Sequence, residues 1–455
     1  MTSKYSFPND FLWGVATSSY QIEGAHATDG KGPSIWDTFT QLPGNIKNGD
    51  TGNIACDHYS RWKDDVATMK DLGVQAYRFS ISWPRVLPTG NGPDINEKGL
   101  AFYDRLVDGL LDANITPYIT LYHWDLPQQI QNQGGWPHRS TVDLFVNYAD
   151  IVSKKLGDRV KHWITHNEPW VVSTNGYLNG HHAPGHKSWG EALSATHHLL
   201  LSHGLAVPVI RNNSPNCEVG ITLNLCPAYP ASPSIADQQA TQQFDGEFNR
   251  WFLDPLFRGS YPEDVLTTHL SKKRIMSSDL SFIQDGDLQK ISTPIDFLGL
   301  NYYSRAIIRS NEIPEEENTP VEINPGEQTD NGWEIHAESL HLLLKRLTIE
   351  YPIEAIYITE NGAAYNIKPN GTSEIHDEIR IKYIHDHLIA CYKSLEDNVP
   401  LRGYFVWTLM DNFEWAEGYG QKFGLIHIDD ATLNRIPKDS FHWYQRTIAN
   451  NSLNH

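Results

Sequence analysis

Two glutamates follow short apolar runs of the kind that form buried strands, and each has polar residues beside it. Glu168 lies in the sequence ITHNEP and Glu360 lies in ITENG. Two carboxyl groups that share a pocket can divide acid and base work, because one is held protonated to donate a proton while the other stays ionised. If the fold brings Arg78 and Tyr303 to the same point, their charge and hydroxyl would favour the anionic form of one glutamate.

Polar or aromatic residues also stand at the C-terminal ends of the other apolar runs. A polar residue at the end of one strand is unremarkable, because strands end where solvent begins, but a full set that meets at one mouth would form a site. Hydrogen-bonding side chains beside an indole suit a polyhydroxylated ring, which needs polar partners and a flat apolar face. Two carboxyl groups across such a pocket are the minimum for cleavage of a glycosidic bond. The residues at these ends are Gln21, Arg78, His123, Asn167, Glu168, Asn224, Asn301, Tyr303, Glu360 and Trp407.

The apolar runs that carry these residues are continuous rather than alternating. Continuous runs are typical of strands whose two faces are both covered. The predicted strands are 11–20, 76–83, 116–124, 162–169, 219–225, 297–303, 355–362 and 404–410.

Amphipathic helical patterns lie between the predicted strands. Apolar residues recur at three- and four-residue spacing over 58–72, 140–157 and 376–396. Gly73 is a stop signal for the first helix, and Ser140 stands at the position expected for the cap of the second. Strands that alternate with helices predict a parallel sheet.

The number of strand–helix units indicates how the sheet closes. Eight units in a chain of 455 residues favour an α/β fold with a single (β/α)8 TIM barrel over 1–455. Long spacers at 25–60, 170–190 and 305–335 are predicted to be βα loops around the mouth, where barrel active sites lie. No glycine-rich phosphate turn follows a strand, which argues against a nucleotide site.

Composition narrows the class of partner. The 36 Lys and Arg against 55 Asp and Glu give a net charge of −19, which repels phosphate backbones and anionic lipid surfaces. We therefore expect no nucleic-acid or membrane partner. The 14 Trp, 21 Tyr and 16 Phe require a large core or a site with aromatic walls.

The cysteines and the N-terminal segment bear on the compartment. Cys56, Cys217, Cys226 and Cys391 are widely spaced and predict free thiols rather than a disulfide framework. The first residues contain no apolar signal region, so a cytoplasmic protein is expected. The sequence leaves the oligomeric state open, a homo-oligomer included.

With these motifs in view, the chain resembles glycoside hydrolase family 1, the β-glucosidase family, over essentially its whole length. The acid/base motif of the family is matched by Thr165–Pro169 and its nucleophile motif by Ile358–Gly362. The other matching segments are FLWGVATSSYQIEG (11–24), RFSISWPR (78–85), YHWDLP (122–127), NYY (301–303) and WTLMDNFEWAEGY (407–419).

The resemblance implies a role for each matching residue. Glu168 would be the general acid/base and Glu360 the nucleophile, with Arg78 and Tyr303 holding Glu360. Trp407 would form the floor under the sugar. The residues implied to bind the sugar hydroxyls are Gln21, His123, Asn167, Glu414 and Trp415, with Asn224 and Asn301 in support. Those implied on the leaving-group side are Trp333, Trp170 and Phe423.

The resemblance also implies the reaction, a retaining hydrolysis of β-D-glucosides without metal or cofactor, with a small-molecule β-glycoside as the partner. Retention requires the two carboxyl groups to lie about 5–5.5 Å apart. A sugar-binding barrel without activity is the first alternative, although both glutamates are present. A 6-phospho-β-glucosidase is the second, although Glu414 and Trp415 would place a carboxylate where a phosphate must bind.

A metal-dependent barrel hydrolase is a third alternative, because the chain is rich in histidine. None of His162, His166, His181, His182, His197 and His198 forms an HExxH pair, so a metal site is not expected. Trp163, Trp251 and Trp443 match no motif and are expected in the core.

Overall fold

The computed structural model describes residues 5–312, 326–367 and 374–453, except for the side chains of 277–279. Eight parallel strands, β1–β8, form a closed barrel in which each pairs with its neighbour in chain order and β8 pairs with β1. The predicted fold class is confirmed. The strands are Leu12–Ala16, Ala76–Ser80, Thr116–Tyr122, His162–Asn167, Glu218–Asn224, Phe297–Asn301, Ile356–Asn361 and Leu401–Trp407.

All eight predicted strands exist, but each has at least one bound that was wrong, by up to four residues. β1 ends at Ala16, four residues before the predicted end, because the chain turns into the short helix Ser19–Ile22. β8 begins at Leu401 rather than at 404 and ends at Trp407. Gly403 pairs within the ladder, and a Cβ there would lie 2.7 Å from the Leu12 carbonyl oxygen, so this glycine marks a close approach rather than a strand boundary.

One main helix packs outside the barrel after each strand except β5, which several shorter helices follow. The first predicted helix has the observed bounds, and Gly73 ends it with a left-handed φ of 82°. The capping role predicted for Ser140 is wrong, because Ser140 is the first helical residue and no side chain caps this end. The main helices are His58–Leu72, Glu97–Asp112, Ser140–Leu156, Trp189–Asn213, Ala337–Glu350, Glu378–Glu396 and Asp439–Asn450, and those after β5 are Ile235–Asp245, Trp251–Arg258, Glu263–Ser271 and Asp287–Ile291.

Shorter elements build the loops at the two ends of the barrel. Three two-stranded pairs join Tyr5–Ser6 to Ser452–Leu453, Ala228–Pro230 to Ala306–Ile308, and Ile426–Ile428 to Arg435–Pro437. The short helical segments are Ser19–Ile22, Thr28–Gly30, Ile35–Phe39, Lys47–Gly49, Trp83–Val86, Gln128–Asn132, Val171–Leu178, Gly246–Arg250, Ser277–Phe282 and Trp415–Glu417.

Aromatic side chains fill the interior of the barrel. The Tyr118 ring meets Phe405 at 5.1 Å and Tyr357 at 5.5 Å, edge to face. Gly14 leaves room for this layer, because a Cβ there would lie 2.3 Å from the Phe405 ring. Trp407 follows Phe405 by two residues along β8, and Arg78 follows Ala76, the β2 member of this layer, by two residues. The next layer toward the strand ends therefore carries the candidate site.

The helix Trp189–Asn213 is long and apolar enough to cross a membrane by length and composition alone. Its most apolar window is 78% buried inside the protein. The apolar residues of this helix therefore serve its packing against the barrel and its neighbours.

Candidate active site

Glu360 lies in β7 and receives a donor on each carboxyl oxygen. Arg78 Nη1 lies 2.5 Å from Oε1, and the Tyr303 hydroxyl donates to Oε2 at 2.6 Å. The Arg78 guanidinium is fully buried and is held from behind by Asn167 Oδ1 at 2.7 Å. The structure thus brings together the arginine, the tyrosine and the glutamate that the sequence proposed as a group.

Glu168 is the first residue after β4 and has a left-handed φ of 50°. Asn301 Nδ2 donates to its Oε1 at 2.6 Å and also lies 3.1 Å from Asn167 Oδ1. The Thr359 hydroxyl donates to Asn301 Oδ1 at 2.7 Å, which turns the amide nitrogen toward Glu168. Within the described residues, Glu168 therefore has a neutral amide partner where Glu360 has a cation and a hydroxyl.

This difference decides which carboxyl group ionises first. Burial raises the pKa of Glu168 well above its usual range, and the charge of Glu360 raises it further. Burial also raises the pKa of Glu360, but Arg78 and the Tyr303 hydroxyl oppose that rise. We assign the first ionisation of the pair to Glu360, so Glu168 keeps its proton.

Glu414 is a third buried carboxyl group in the site. Gln21 Nε2 donates to its Oε2 at 3.3 Å and also to Asn412 and to the Phe413 carbonyl. Burial and the charge of Glu360 raise the pKa of Glu414 to about 8. The free site therefore disfavours the charged form of Glu414, on which the phosphate repulsion predicted from the sequence depends.

The side chains face a cavity of about 850 Å³ at the carboxyl ends of the strands. Its wall contains every predicted site residue except Arg78, Gln21 and Asn167, which lie directly behind it. Gln21 is on the short helix after β1, and Arg78 is central in β2, so neither stands at a strand end as expected. The predicted residues in the wall are Glu168, Glu360, Tyr303, His123, Asn301, Trp333, Trp407, Glu414, Trp415 and Phe423, together with Trp170 and Asn224.

The aromatic residues of the wall form a deep group and a rim group. In the deep group, His123 stacks with Trp407 at 5.8 Å and with Trp415 at 5.9 Å between ring centres. At the rim, Trp333 is 40% exposed and lies 5.2 Å from the Tyr303 ring and 6.1 Å from Phe423. The predicted insertions supply much of this rim, although 313–325 lie outside the described residues.

Sequence reasoning missed several residues of the wall. Trp124 packs 4.4 Å from Trp415 and donates its indole N–H to the Asn167 carbonyl at 3.0 Å. Its place beside His123 in YHWDLP could have pointed to it. Phe248 had no such signal, because it reaches the cavity from the helical segment Gly246–Arg250, which matches no motif, and Arg305 lies in the predicted rim loop 305–335 but was not singled out there.

Most of the histidines considered as metal ligands serve as packing or hydrogen-bonding residues. His166 stacks on Phe145 and contacts Ser202 Oγ at 2.8 Å, and His197 pairs with Asp287 at 3.0 Å. His181 and His182 lie in the cavity wall instead. In the described part of the chain, the one group of three potential metal ligands close together is His376, Glu378 and Asp439, none of which is in the cavity wall.

The structure also tests the predictions about the four cysteines and about three of the tryptophans. All four cysteines are free, with Cys56 and Cys391 buried, as predicted. Trp163 and Trp251 belong to the core, and Trp443 is partly buried against it.

A closed (β/α)8 barrel whose mouth holds two buried carboxyl groups with unequal partners among aromatic rings has the features of a glycoside-cleaving barrel hydrolase. The chain belongs to glycosyl hydrolase family 1, whose model matches residues 3–453. It is 47% identical over 453 residues to Beta-glucosidase A of Acetivibrio thermocellus, covering 99% of this chain and 100% of that protein. It is 46% identical over 453 residues to 1,4-beta-D-glucan glucohydrolase of Thermotoga neapolitana, covering 98% and 99%.

Solved structures agree in fold. The beta-glucosidase from Thermotoga maritima in complex with glucoimidazole superposes with a TM-score of 0.90 at 45% identity, covering 98% of this chain and 100% of that one. The same protein has a structure in complex with galacto-hydroximolactam, with a TM-score of 0.90 at 44% identity, covering 99% and 100%.

Proposed function

We propose that this chain is a retaining β-glucosidase in which Glu360 is the nucleophile and Glu168 the general acid/base. The observation that carries the assignment is the unequal set of partners, because only Glu360 has a cation and a hydroxyl to hold it ionised. Glu168 is buried beside a neutral amide and keeps the proton that a departing oxygen requires. The assignment agrees with the roles that the sequence motifs imply.

The reaction then has two displacements. In the first, a Glu360 carboxylate oxygen attacks the anomeric carbon, the glycosidic bond breaks, and Glu168 gives its proton to the departing oxygen. In the second, ionised Glu168 takes a proton from water, the water oxygen attacks the anomeric carbon, and Glu360 leaves as a carboxylate. Two inversions give net retention.

The cavity wall supports a neutral sugar as the substrate. Trp407 offers a flat face, and His123, Glu414 and Asn301 offer polar groups around it. Among the described residues of the wall, Arg305 is the one Lys or Arg, and its guanidinium is engaged by both oxygens of Glu334 at 2.8 and 2.9 Å. This lack of a free cation disfavours a 6-phosphosugar, and the names of the relatives favour a glucoside.

Replacement of the nucleophile tests the proposal. We expect Glu360→Ala to lower kcat on an aryl β-glucoside by several orders of magnitude without changing the fold, as judged by circular dichroism. Glu338 lies outside the cavity wall and pairs with Lys393 at the surface at 2.9 Å, so Glu338→Ala is the matched control and should keep activity. Near-wild-type turnover by Glu360→Ala would exclude this nucleophile.

The stereochemistry gives a second, independent test. Proton NMR of the first sugar released by the wild-type protein should show the β anomer before mutarotation. If the α anomer forms first, the reaction inverts, and Glu360 is then a base rather than a nucleophile.

A further inference from the structure

The loop that follows β8 carries Glu414 into the cavity wall. This β8 loop runs from the end of the strand at Trp407 to the helix that begins at Asp439. The hydrogen bond from Gln21 Nε2 to Glu414 Oε2 is long, at 3.3 Å, and holds the carboxyl group only weakly. The position of Glu414 therefore depends mainly on how the backbone of the β8 loop is fixed.

Asp411, three residues before Glu414, is buried and has a polar partner on each carboxyl oxygen. Oδ1 accepts from Lys438 Nζ at 2.8 Å and from the Gly424 N–H at 2.9 Å. Oδ2 lies 3.2 Å from His427 Nδ1. One carboxyl group thus joins the beginning, the middle and the end of the β8 loop.

Backbone contacts tighten the loop around the same two residues. The Asp411 N–H donates to the Ile426 carbonyl at 2.8 Å, and the Lys438 N–H donates to the Leu425 carbonyl at 3.0 Å. The Cys56 thiol donates to the Asp411 carbonyl at 3.2 Å. Asp411 and Lys438 are therefore fixed in both main chain and side chain.

The Asp411–Lys438 pair is an ion pair with both side chains 1% exposed. Burial alone would raise the pKa of Asp411, but Lys438 and the hydrogen bond with His427 hold that pKa below its usual range. A buried ion pair adds little net stability, because the loss of hydration offsets the attraction. A loop conformation that separates the two residues leaves an unpaired charge in the interior, which is costly. The pair thus selects one conformation of the loop.

Asn412 and Phe413 connect this pair to Glu414. Gln21 Nε2 donates to Asn412 Oδ1 at 3.0 Å and to the Phe413 carbonyl at 2.9 Å. The short segment 411–414 is therefore held by the ion pair at its beginning and reaches the cavity wall at its end. A shift of Asp411 moves Glu414.

We propose that Asp411 is a positioning residue for sugar binding, which acts together with Lys438 by holding Glu414 at the distance that a sugar hydroxyl requires. The proposal rests on the proposed function, because it takes the ligand of Glu414 to be the sugar of the substrate. Neither Asp411 nor Lys438 is in the cavity wall, so neither is placed to touch the substrate itself.

Replacement of Asp411 by asparagine removes the charge that faces Lys438 and keeps the shape of the side chain. A displacement of about 1 Å can cost about 100-fold in rate, so Asp411→Asn should lower kcat/KM on an aryl β-glucoside by about 10-fold to 100-fold. In a Glu414→Ala background the same change should lower kcat/KM by less than about threefold, because the carboxyl group that Asp411 positions is gone. A general structural defect would lower it equally in both backgrounds. Equal losses would therefore overturn the proposal, as would wild-type kcat/KM in Asp411→Asn.

Asp287→Asn is the matched control. Asp287 is similarly buried and pairs with Arg139 at 2.6 Å and with His197 at 3.0 Å, and none of the three residues is in the cavity wall. Below its thermal midpoint this variant should keep kcat/KM within about twofold of the wild type. A loss as large as that of Asp411→Asn would show that breaking any buried ion pair lowers activity, and would overturn the positioning role.

A second variant keeps the test decisive if Asp411→Asn does not fold. Asp411→Asn/Lys438→Met removes both charges, so no unpaired charge is buried and the barrel should fold. Its kcat/KM should show the same dependence on Glu414. Failure of both variants to fold, as judged by circular dichroism, would give the pair a purely structural role and overturn the proposal. If the wild type and Asp287→Asn both fail to hydrolyse the aryl β-glucoside, the proposed function is wrong instead.

Discussion

Removal of one hydroxyl, by Tyr303→Phe, tests how Glu360 is kept ionised. The hydroxyl donates to Glu360 Oε2 at 2.6 Å in a buried site, while Arg78 continues to hold Oε1. The change removes no carbon atom, so the ring should keep its contacts with Trp333 and Phe423. What is lost is one charge-assisted hydrogen bond.

The expected size of the effect follows from that bond. A hydrogen bond to a charged group contributes about 1.5–3 kcal/mol. Its loss disfavours the carboxylate of Glu360 and raises its pKa by about 1–2 units, at 1.36 kcal/mol per unit. Glu360 must be ionised to attack, so the acid limb of the pH profile should move up by the same amount. Below the wild-type limb, kcat/KM should fall by about 10-fold to 150-fold, and above the new limb much of the loss should be recovered.

The assay is kcat/KM on an aryl β-glucoside across the stable pH range. Tyr302→Phe is the matched control, because the neighbouring Tyr302 hydroxyl donates to the His336 carbonyl at 2.7 Å and lies outside the Glu360 hydrogen bonds. That variant should keep the acid limb of the wild type. An unshifted acid limb in Tyr303→Phe would refute the view that this hydroxyl sets the ionisation of Glu360, whatever the loss of rate.

Three further predictions follow from the site. Glu360→Gln removes the charge that raises the pKa of Glu168, so a carbon-13 NMR titration should show a lower pKa for Glu168 in this variant. An unchanged pKa would show that the two carboxyl groups do not interact. Trp333→Ala removes a rim ring that is 40% exposed, so the thermal midpoint should stay constant. The KM for aryl glucosides should rise by about 2-fold to 12-fold, which is the equivalent of one aromatic contact. A KM equal to that of the wild type would show that the aglycone binds elsewhere. Excess chelator should leave kcat unchanged, since a group of three potential metal ligands is not found in the described cavity wall. A loss of kcat that a divalent metal restores would instead support a metal-dependent hydrolase.

Local patterns in the sequence predicted most of the framework. The continuous apolar runs identified all eight strands, since a strand covered on both faces needs apolar residues at every position. The helix His58–Leu72 was predicted to the residue, because its apolar spacing and Gly73 are local signals. The motifs around Glu168 and Glu360 identified both carboxyl groups from local sequence alone.

Other parts of the site depend on contacts between distant segments. Gln21 was expected at a strand end, but it lies on a helix where its amide hydrogen-bonds Glu414, 393 residues away in sequence. The charge expected at Glu414 is weakened by burial and by Glu360, neither of which can be read from its neighbours in the chain.

The sequence by itself determined that the chain forms a barrel, which residue types stand near its mouth, and that two glutamates are present to act as acid and nucleophile. Only the tertiary structure gives the physical reason for the charge to favour Glu360, because Arg78 and Tyr303 lie within 2.5 and 2.6 Å of its carboxyl group and Glu168 lies beside an amide. The types of the side chains are encoded locally. Their pKa values are set by burial and by neighbours that approach only when the barrel closes.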